Sequence, residues 1–284
     1  MGNQIVQKEY PYKHWQYLDF ETGNKLRVVP ERGGLISGWE CNGKEILYFD
    51  LERFNLKNKS IRGGIPILFP ICGDLPSQLL RLPQGEFSLQ QHGFARDIPW
   101  QIKPLHKQEG ISLSITNTAY TKELYPFNFL IEMEASLQQN SLLIKTTIYN
   151  QGEEKMPFSF GLHPYFKVSD LQNISISGLP DICTNHVDMT TASTEIQLAN
   201  LAKGIDFISS PKGPVSLFDF ESGASIEMQS EEPMDLAVVW TDPPRRMVCL
   251  EPWTSPRRSL INGEKRLFIN PGSFKELRCR FVSN

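Results

Sequence analysis

Short runs in which apolar and polar residues alternate with a period of two recur along the chain. The clearest cover residues 110–117, 129–137 and 142–150. Further runs, some of them wholly apolar, cover residues 26–30, 35–41, 45–49, 215–220, 224–228, 237–240, 247–250 and 275–282. Alternation of this kind is typical of β-strands with one buried face. Asn42 and Gly43, between two of the runs, favour a tight hairpin turn.

Helical periodicity is weak, and its best candidate is about one turn at residues 120–124. Many short strands separated by Gly, Pro, Asn and Asp turns predict an all-β protein, a large antiparallel β-sandwich or a barrel. The 284 residues contain no internal repeat and no Pro/Ser-rich linker, so we predict one domain over residues 1–284. Residues 75–91 are the least regular stretch and predict a long loop, with a possible role as a lid.

The composition excludes several classes of function. The net charge is −3, and charged residues make up 21% of the chain with both signs interspersed. The chain has no block of basic residues, which argues against a nucleic-acid partner. No apolar run approaches the ~20 residues that span a bilayer, and the N-terminus has no apolar signal core. We therefore expect a cytoplasmic protein with no membrane partner.

Five cysteines are present, an odd number, and no two of them lie within four residues of each other. This spacing excludes the usual close-spaced zinc pairs and disfavours a secreted disulfide framework. We expect reduced and mostly buried thiols at Cys41, Cys72, Cys183, Cys249 and Cys279.

His163 is the only imidazole in the aromatic stretch 160–166, Phe-Gly-Leu-His-Pro-Tyr-Phe. Pro164 restricts the residue before it to extended backbone, so we expect His163 at a strand end with its ring held in one direction. A histidine placed in this way can act as a general acid or base. It can also be a hydrogen-bonded core residue, which is the more common case for a lone histidine on an apolar strand.

Glu251 repeats this arrangement, because it follows an apolar run and precedes Pro252. A carboxyl group among Leu, Cys and Trp side chains is expected to have its pKa raised by desolvation, which suits a general base. The alternative is a strand-end glutamate that faces solvent or pairs with Arg257 or Arg258.

Two further segments carry groups that can bind a polar ligand. Arg62 precedes Gly63 and Gly64, and paired glycines allow a close backbone approach or positive φ. His92 and Arg96 are separated by small residues, and arginine is a natural clamp for anions or hydroxyl groups. An ordinary turn is the alternative for the first segment, and pairing of Arg96 with a neighbouring acid such as Asp97 is the alternative for the second.

A metal site and a hydrolytic triad are weaker interpretations. His92, His163 and Glu251 would be a plausible ligand set by residue type, but no pair has the i,i+2 or i,i+4 spacing of common sites. No Gly-x-Ser-x-Gly motif occurs in the chain. We therefore expect no metal and no cofactor.

Five segments, taken in order, resemble the aldose 1-epimerase (mutarotase) family, and most closely its hexose-6-phosphate 1-epimerase branch. They are Arg-Gly-Gly-Ile-Pro at 62–66 with Phe-Pro at 69–70, His-Gly-Phe-Ala-Arg at 92–96, Tyr-Pro-Phe at 125–127, His-Pro-Tyr-Phe at 163–166 and Glu-Pro-Trp at 251–253. The resemblance implies a galactose mutarotase-like β-sandwich over the whole chain. It also implies cofactor-free interconversion of the α and β anomers of an aldohexose.

The resemblance further assigns roles to individual residues. Glu251 matches the base that takes the proton from the C1 hydroxyl, and His163 matches the acid that protonates the ring oxygen. Four positions match substrate-binding residues of the family: Arg62, His92, Arg96 and Asp206. The residues around Asp206 depart from the family pattern. An apolar wall for the sugar ring is expected from Trp253, Tyr165 and Phe94.

The substrate is then a free aldohexose or a hexose 6-phosphate, and the motifs favour the phosphorylated sugar. Arg62 and Arg96 would be natural ligands of the dianion, and Lys203, Arg81 and Arg258 are further candidates. Two other classes remain open: a non-catalytic carbohydrate-binding sandwich that acts as a sugar sensor or regulator, and a β-sandwich lyase or hydrolase. We expect a small-molecule sugar or sugar phosphate as partner, and a monomer or weak homodimer.

Overall fold

The computed structural model describes residues 4–105 and 110–284, which form 25 strands and four short α-helices. The first strands are β1 Gln4–Lys8, β2 His14–Leu18, β3 Lys25–Val29, β4 Leu35–Cys41, β5 Lys44–Glu45, β6 Ile67–Leu68, β7 Leu79–Leu82, β8 Gly85–Ser88, β9 Gln101–Pro104, β10 Gly110–Thr116, β11 Phe129–Gln138 and β12 Ser141–Asn150. The later strands are β13 Met156–Phe158, β14 Gly161–Leu162, β15 Tyr165–Lys167, β16 Ile174–Ser177, β17 Ile182–Asn185, β18 Thr191–Ser193, β19 Asp206–Ser209, β20 Val215–Asp219, β21 Ser225–Ser230, β22 Leu236–Trp240, β23 Met247–Trp253, β24 Leu267–Ile269 and β25 Phe274–Ser283. The helices are α1 Leu51–Asn55, α2 Ala119–Leu124, α3 Thr194–Leu198 and α4 Ser259–Asn262, and two 3-10 turns lie at Pro76–Gln78 and Leu201–Lys203.

Two eight-stranded sheets dominate the architecture. One has the order β16-β20-β21-β25-β12-β11-β10-β9. The other has the order β18-β17-β19-β22-β23-β14-β6, with β15 paired to β23 beside β14. The strands β1 to β5 form a third sheet in sequence order, and β13-β24 and β7-β8 are two-stranded. The pairings in the large sheets are antiparallel, as in β11 with β12 and β22 with β23.

The core lies between the large sheets, because each turns an apolar face toward the other. In β12 the buried residues alternate with half-buried ones, and Leu142, Ile144 and Ile148 are buried. Phe166 of β15 contacts Phe281 of β25 with ring centroids 5.4 Å apart. A side chain that points into this interior leaves water on burial, which stabilises the fold by roughly 1.5–3 kcal/mol for a large apolar residue. The fold is thus the predicted antiparallel β-sandwich.

The local predictions are confirmed at most positions. The Asn42 and Gly43 turn joins β4 to β5, although β5 is only two residues long and the chain beyond it makes isolated bridges. The predicted helical turn is α2, which begins one residue earlier than expected. Its N-cap Thr118 accepts a hydrogen bond from the backbone N–H of Thr121, which satisfies a free donor of the first turn.

The prediction of a long irregular loop over residues 75–91 is wrong. A 3-10 turn at Pro76–Gln78 leads into the hairpin of β7 and β8, which pair over four residues. Leu80 of β7 is fully buried, and Leu79 and Leu82 are half-buried. Three leucines at Leu79, Leu80 and Leu82 were sufficient to signal a strand, but the prolines and glycine around them obscured that signal.

All five cysteines are free thiols on buried residues, as the sequence predicted. Among the described residues, no helix is long and apolar enough to cross a membrane.

Candidate active site

The six residues that the sequence assigned to the site converge on one pocket of about 110 Å³. They are Arg62, His92, Arg96, His163, Asp206 and Glu251. One eight-stranded sheet supplies three of these positions, since Asp206 begins β19, Glu251 lies in β23 and His163 lies between β14 and β15. The remaining lining residues are Gln91, Val238, Trp240, Trp253 and Arg257.

His163 faces Glu251 because of the register between two strand segments. Residues 161 and 253 are paired through β14, and residues 165 and 249 are paired through β15. The register that these two pairs share places His163 opposite Glu251, with Nε2 of the imidazole 3.4 Å from Oε1 of the carboxyl group. Two ionisable groups that lie 88 residues apart in sequence are therefore direct cross-strand neighbours.

The prediction that Glu251 ends its strand is wrong, because β23 continues through Pro252 to Trp253. Pro252 and Pro164 carry no backbone N–H, and the hydrogen-bond ladder on this side of β23 is interrupted between β14 and β15. On the other side, Pro252 lies opposite Ala237 of β22. The two X-Pro pairs thus mark one gap in the sheet, and the acid–base candidates face each other across it.

Both members of this pair are buried, with 8% of His163 and 1% of Glu251 exposed. Burial, followed by the charges of Arg96 and Arg62, lowers the pKa of His163 to about 3. Burial, followed by the charge of Asp206, raises the pKa of Glu251 well above its usual value. The two shifts favour a neutral imidazole and a protonated carboxyl group, which suits the pair to share one proton.

The surroundings of the pair fix both side chains. The imidazole of His163 stacks on the Tyr165 ring, with centroids 4.8 Å apart and planes 10° apart. Trp253 Nε1 donates a hydrogen bond of 3.0 Å to Oε2 of Glu251. Nδ1 of His163 is buried and has no hydrogen-bond partner among the described residues. The imidazole is thus held by packing, with Nε2 turned toward Glu251.

His92 reaches the pocket from a turn with left-handed backbone, φ +68°, followed by Gly93 at φ +71°. A Cβ on Gly93 would lie 2.2 Å from the carbonyl oxygen of Phe69, so only glycine fits there. The backbone N–H of Gly73 donates to Nδ1 of His92 at 3.1 Å, which leaves the proton on Nε2. Burial, with the charge of Arg96 next, lowers the pKa of His92 well below its usual value. His92 is thus a neutral hydrogen-bond donor.

Arg62 is held at the other side of the pocket by Asp242. Its Nε donates to Oδ2 of Asp242 at 3.1 Å, and its guanidinium lies over the Trp240 ring at 5.2 Å from the centroid. The turn after Arg62 requires glycine, since a Cβ on Gly64 at φ +68° would lie 2.4 Å from the carbonyl oxygen of Ile36. The close-approach interpretation of the paired glycines is therefore confirmed.

Arg96 lies against the acid–base pair with little compensation of its charge. Nη2 donates to the carbonyl oxygen of Gln91 at 2.8 Å. Nε lies 3.8 Å from Oδ2 of Asp97, which is beyond hydrogen-bond distance, and the Asp97 side chain is mostly exposed. Burial lowers the pKa of this guanidinium, yet arginine keeps its charge in proteins. The predicted pairing with Asp97 is thus loose, and Arg96 supplies positive charge to the pocket.

Asp206 lines the pocket, although the residues around it in the sequence depart from the family pattern. His186 Nδ1 lies 2.7 Å from its Oδ1, and Arg257 Nη2 donates to its Oδ2 at 2.8 Å. Burial alone would raise the pKa of Asp206, but the hydrogen bond and charge of His186 and the charge of Arg257 outweigh it and lower that pKa. Asp206 is a fixed carboxylate.

Sequence reasoning missed several residues of the site, among them Trp240, Arg257 and His186. Trp240 lines the pocket beside Arg62, and Arg257 and His186 hold Asp206. Arg257 had been considered only as a partner of Glu251. His186 carries no local signal, since its neighbours are polar or exposed, and only the pairing of β17 with β19 brings it beside Asp206.

The predicted apolar wall needs correction. Trp253 does line the pocket. Phe94 is instead a core residue, which contacts Phe69 and Phe129 at 6.0 Å between centroids. Tyr165 lies behind His163 and is buried. Trp240 is the second indole of the pocket.

One group of potential metal ligands is found among the described residues, but it differs from the set His92, His163 and Glu251 that residue types suggested. Ligand atoms of His163, Cys249 and Glu251 lie within 4.8 Å of one another, and His92 is not in this group. Burial raises the pKa of the Cys249 thiol well above its usual range, as it does for Glu251. A metal ion would have to displace the thiol proton of Cys249, and burial also disfavours the ionised form of Glu251, so metal binding is disfavoured.

Three basic residues considered for a phosphate group, Lys203, Arg81 and Arg258, are not among the lining residues of this pocket. A larger groove of about 1000 Å³ lies elsewhere, with β4, β5, β20 and β21 among its walls. It contains none of the six predicted site residues, and Arg245 on its wall is paired with Asp50 and Asp242. The acid–base geometry therefore marks the smaller pocket as the candidate active site.

Comparison with known proteins agrees with this fold. The family model described as Aldose 1-epimerase matches residues 19–281, and the chain belongs to that family. A protein of Escherichia coli named "Putative glucose-6-phosphate 1-epimerase" is 29% identical over 154 residues, which cover 53% of this chain and 48% of that protein. The matched region thus spans about half the length of this relative.

Solved structures extend the similarity over the whole chain. A crystal structure of a protein from Synechocystis sp. PCC 6803 has a TM-score of 0.91 and 33% identity, and covers 100% of this chain and 99% of its own. A galactose mutarotase related enzyme from Lactobacillus acidophilus has a TM-score of 0.77 and 18% identity, with 99% and 97% of the two chains covered. The second similarity supports the fold alone.

Proposed function

We propose that this protein is a cofactor-independent aldose 1-epimerase that interconverts the α and β anomers of an aldohexose. The observation that carries the proposal is the pairing of His163 with Glu251, 3.4 Å apart and buried in a pocket lined by arginines and indoles. Opening of the hemiacetal ring moves one proton off O1 and one onto O5. One donor and one acceptor that share a single proton supply both transfers.

In the proposed reaction Glu251 takes the O1 proton and His163 protonates O5. For this step the one proton that the pair shares lies on Nε2 of His163, which makes Glu251 the carboxylate and His163 the imidazolium. The open aldehyde then rotates about C1–C2 and closes on its other face with the two roles exchanged. Each proton transfer by a positioned side chain contributes typically ~10²–10⁴-fold.

The other lining groups orient the sugar in this proposal. His92 donates from Nε2, Asp206 accepts from a hydroxyl group, and Trp253 and Trp240 provide apolar faces. Each of these groups is held by a second residue, so little side-chain entropy is lost when the sugar binds. Binding would therefore present the C1–O5 bond to the acid–base pair in one orientation.

A hexose 6-phosphate is the substrate that the charges favour. Arg96 and Arg62 are partly buried cations on the pocket wall, and the carboxylate partner of Arg96 among the described residues, Asp97, lies 3.8 Å away. A phosphate dianion would supply a closer partner through charge-assisted hydrogen bonds. The name of the Escherichia coli relative points in the same direction.

Anomer exchange of glucose and glucose 6-phosphate, measured by NMR exchange spectroscopy, tests the proposal. We expect the protein to accelerate exchange of at least one sugar in proportion to its concentration, and glucose 6-phosphate with the higher kcat/KM. A protein that binds these sugars but leaves the exchange rate at its buffer value would instead be a carbohydrate-binding sensor. Equal kcat/KM for the two sugars would remove the phosphate preference but leave the epimerase.

A further inference from the structure

His186 lies directly behind the pocket and makes two contacts with it. Its Nδ1 is 2.7 Å from Oδ1 of Asp206, and its ring lies nearly parallel to the indole of Trp253, with centroids 5.8 Å apart and planes 25° apart. The His186 side chain has no exposed surface. It is therefore unable to touch a ligand, and any influence on the ligand must pass through Asp206 or Trp253.

The hydrogen-bond pattern places a proton on one particular nitrogen of this imidazole. Oδ2 of Asp206 accepts from Arg257 Nη2, and Oδ1 faces His186. A carboxylate accepts only, so Nδ1 of His186 carries the proton. The opposite nitrogen, Nε2, is buried and has no hydrogen-bond partner in the part of the chain that the structure describes. An apolar residue would fill the space without leaving such an atom unsatisfied, so packing alone gives no reason for a histidine here.

We propose that His186 is a positioning residue which, together with Arg257, locks Asp206 as the acceptor for one particular sugar hydroxyl group. Arg257 and His186 occupy one lone pair on each oxygen of the carboxylate, and the remaining lone pairs are directed by that geometry. An unconstrained aspartate would rotate about its side-chain torsions and accept from several hydroxyl positions. The structure thus assigns to His186 a role in selecting the sugar. This inference rests on the proposed binding of an aldohexose.

A matched pair of substitutions isolates the hydrogen bond. His186→Asn retains an N–H donor near the position of Nδ1, whereas His186→Leu has almost the same shape as the Asn variant but no donor. His186→Phe keeps an aromatic ring against Trp253, also without the donor. Thermal unfolding followed by circular dichroism establishes which variants are folded, and the Phe variant replaces the Leu variant in the comparison if the latter does not fold.

The readout is the penalty for removing single hydroxyl groups from the sugar. The 2-, 3- and 4-deoxy forms of glucose, or of glucose 6-phosphate, are compared with the parent sugar by Kd from calorimetry and by kcat/KM. For the wild-type protein we expect one deoxy sugar to lose roughly 10–100-fold, the range for a hydrogen bond to a charged group. We expect that penalty to persist in the Asn variant and to fall below about threefold in the Leu and Phe variants.

The outcomes separate this inference from the epimerase proposal, because Kd is measured independently of turnover. Sugar binding with the expected deoxy pattern but without anomer exchange would support the positioning role and overturn the epimerase. An unchanged deoxy penalty in a folded Leu or Phe variant would overturn the positioning role, as would an equal loss of the penalty in the Asn and Leu variants. Absence of binding of every sugar by the wild-type protein would overturn both.

Discussion

His163 and Glu251 form one histidine–carboxyl pair of the pocket, and His186 and Asp206 form another beside it. In the first pair the closest nitrogen and oxygen are 3.4 Å apart, and in the second they are 2.7 Å apart. The pKa of Glu251 is raised, first by burial and then by the charge of Asp206. Burial opposes the ionised form of Asp206 as well, but hydrogen bonds and charges from His186 and Arg257 lower its pKa.

The difference teaches that the neighbours, and not the residue types, decide what such a pair can do. Asp206 has the guanidinium of Arg257 on its second oxygen, so its charge is compensated and stays in place. Among the described residues, the hydrogen-bond donor to the second oxygen of Glu251 is the neutral indole N–H of Trp253. The protonated form of Glu251 is therefore favoured, which suits it to exchange a proton with His163, while Asp206 is suited to fixing a ligand.

Loss of proton exchange between His163 and Glu251 should have the largest effect on the rate of anomer exchange. Glu251→Gln and His163→Asn are each expected to lower kcat for anomer exchange by roughly 10²–10⁴-fold, the usual contribution of a positioned acid or base. The amide side chains preserve shape, so both variants should remain folded by circular dichroism. Wild-type kcat in either folded variant would show that proton exchange does not depend on this pair.

Loss of the fixed charge should act mainly on binding. Asp206→Asn is expected to weaken sugar binding by roughly 10–100-fold, because hydrogen bonds to charged groups contribute about 1.5–3 kcal/mol. It also removes the anion that helps to raise the pKa of Glu251. The alkaline decline of kcat/KM should therefore move to lower pH. A decline at the same pH as in the wild-type protein would show that the charge of Asp206 does not affect the pKa of Glu251.

The pH profile of the wild-type protein tests the pKa shifts of His163 and Glu251 without mutation. Because the pKa of His163 lies near 3, kcat/KM corrected for uncatalysed exchange should stay nearly constant as the pH falls from 7 to 5. As the pH rises through the raised pKa of Glu251, the pair loses its one proton and kcat/KM should fall. A one-proton loss of activity centred near 6.5 on the acid side would show that the imidazole titrates normally.

The smallest effect is expected outside the pocket. Arg81, a phosphate candidate from sequence, pairs with Glu86 on an exposed hairpin. Arg81 does not line the pocket, so Arg81→Ala should leave the ratio of kcat/KM for glucose 6-phosphate and glucose unchanged. Loss of this exposed ion pair should cost only about 0–1 kcal/mol of stability. Arg96→Ala serves as the matched comparison and should lower that ratio. A drop in the Arg81 variant alone would move the phosphate site to the hairpin.

Much of the fold was predictable from the sequence because strand signals are local. Alternation over residues 129–137 and 142–150 became β11 and β12, which pair over ten residues. The hidden strands β7 and β8 show the limit of that reasoning, since turn residues on both sides outweighed three leucines.

Most of the candidate site was predictable for a different reason, namely the resemblance of motifs at 62–66, 92–96, 163–166 and 251–253 to one family. The motifs supplied residue types and order, and no spacing in the chain required them to meet. Phe94 and Tyr165 show the limit of this reasoning, because a motif does not indicate which of its aromatic residues points into the pocket and which into the core.

The sequence by itself determined an all-β sandwich, five reduced thiols and the residue types of an acid–base site, because period, turn residues and motifs are properties of neighbouring residues. The tertiary structure alone decided that the two X-Pro segments share one register, which sets His163 opposite Glu251. It also decided that His186 and Arg257 hold Asp206. These contacts join residues tens of positions apart, and their pKa shifts arise from burial and charges that only the assembled sheets bring together.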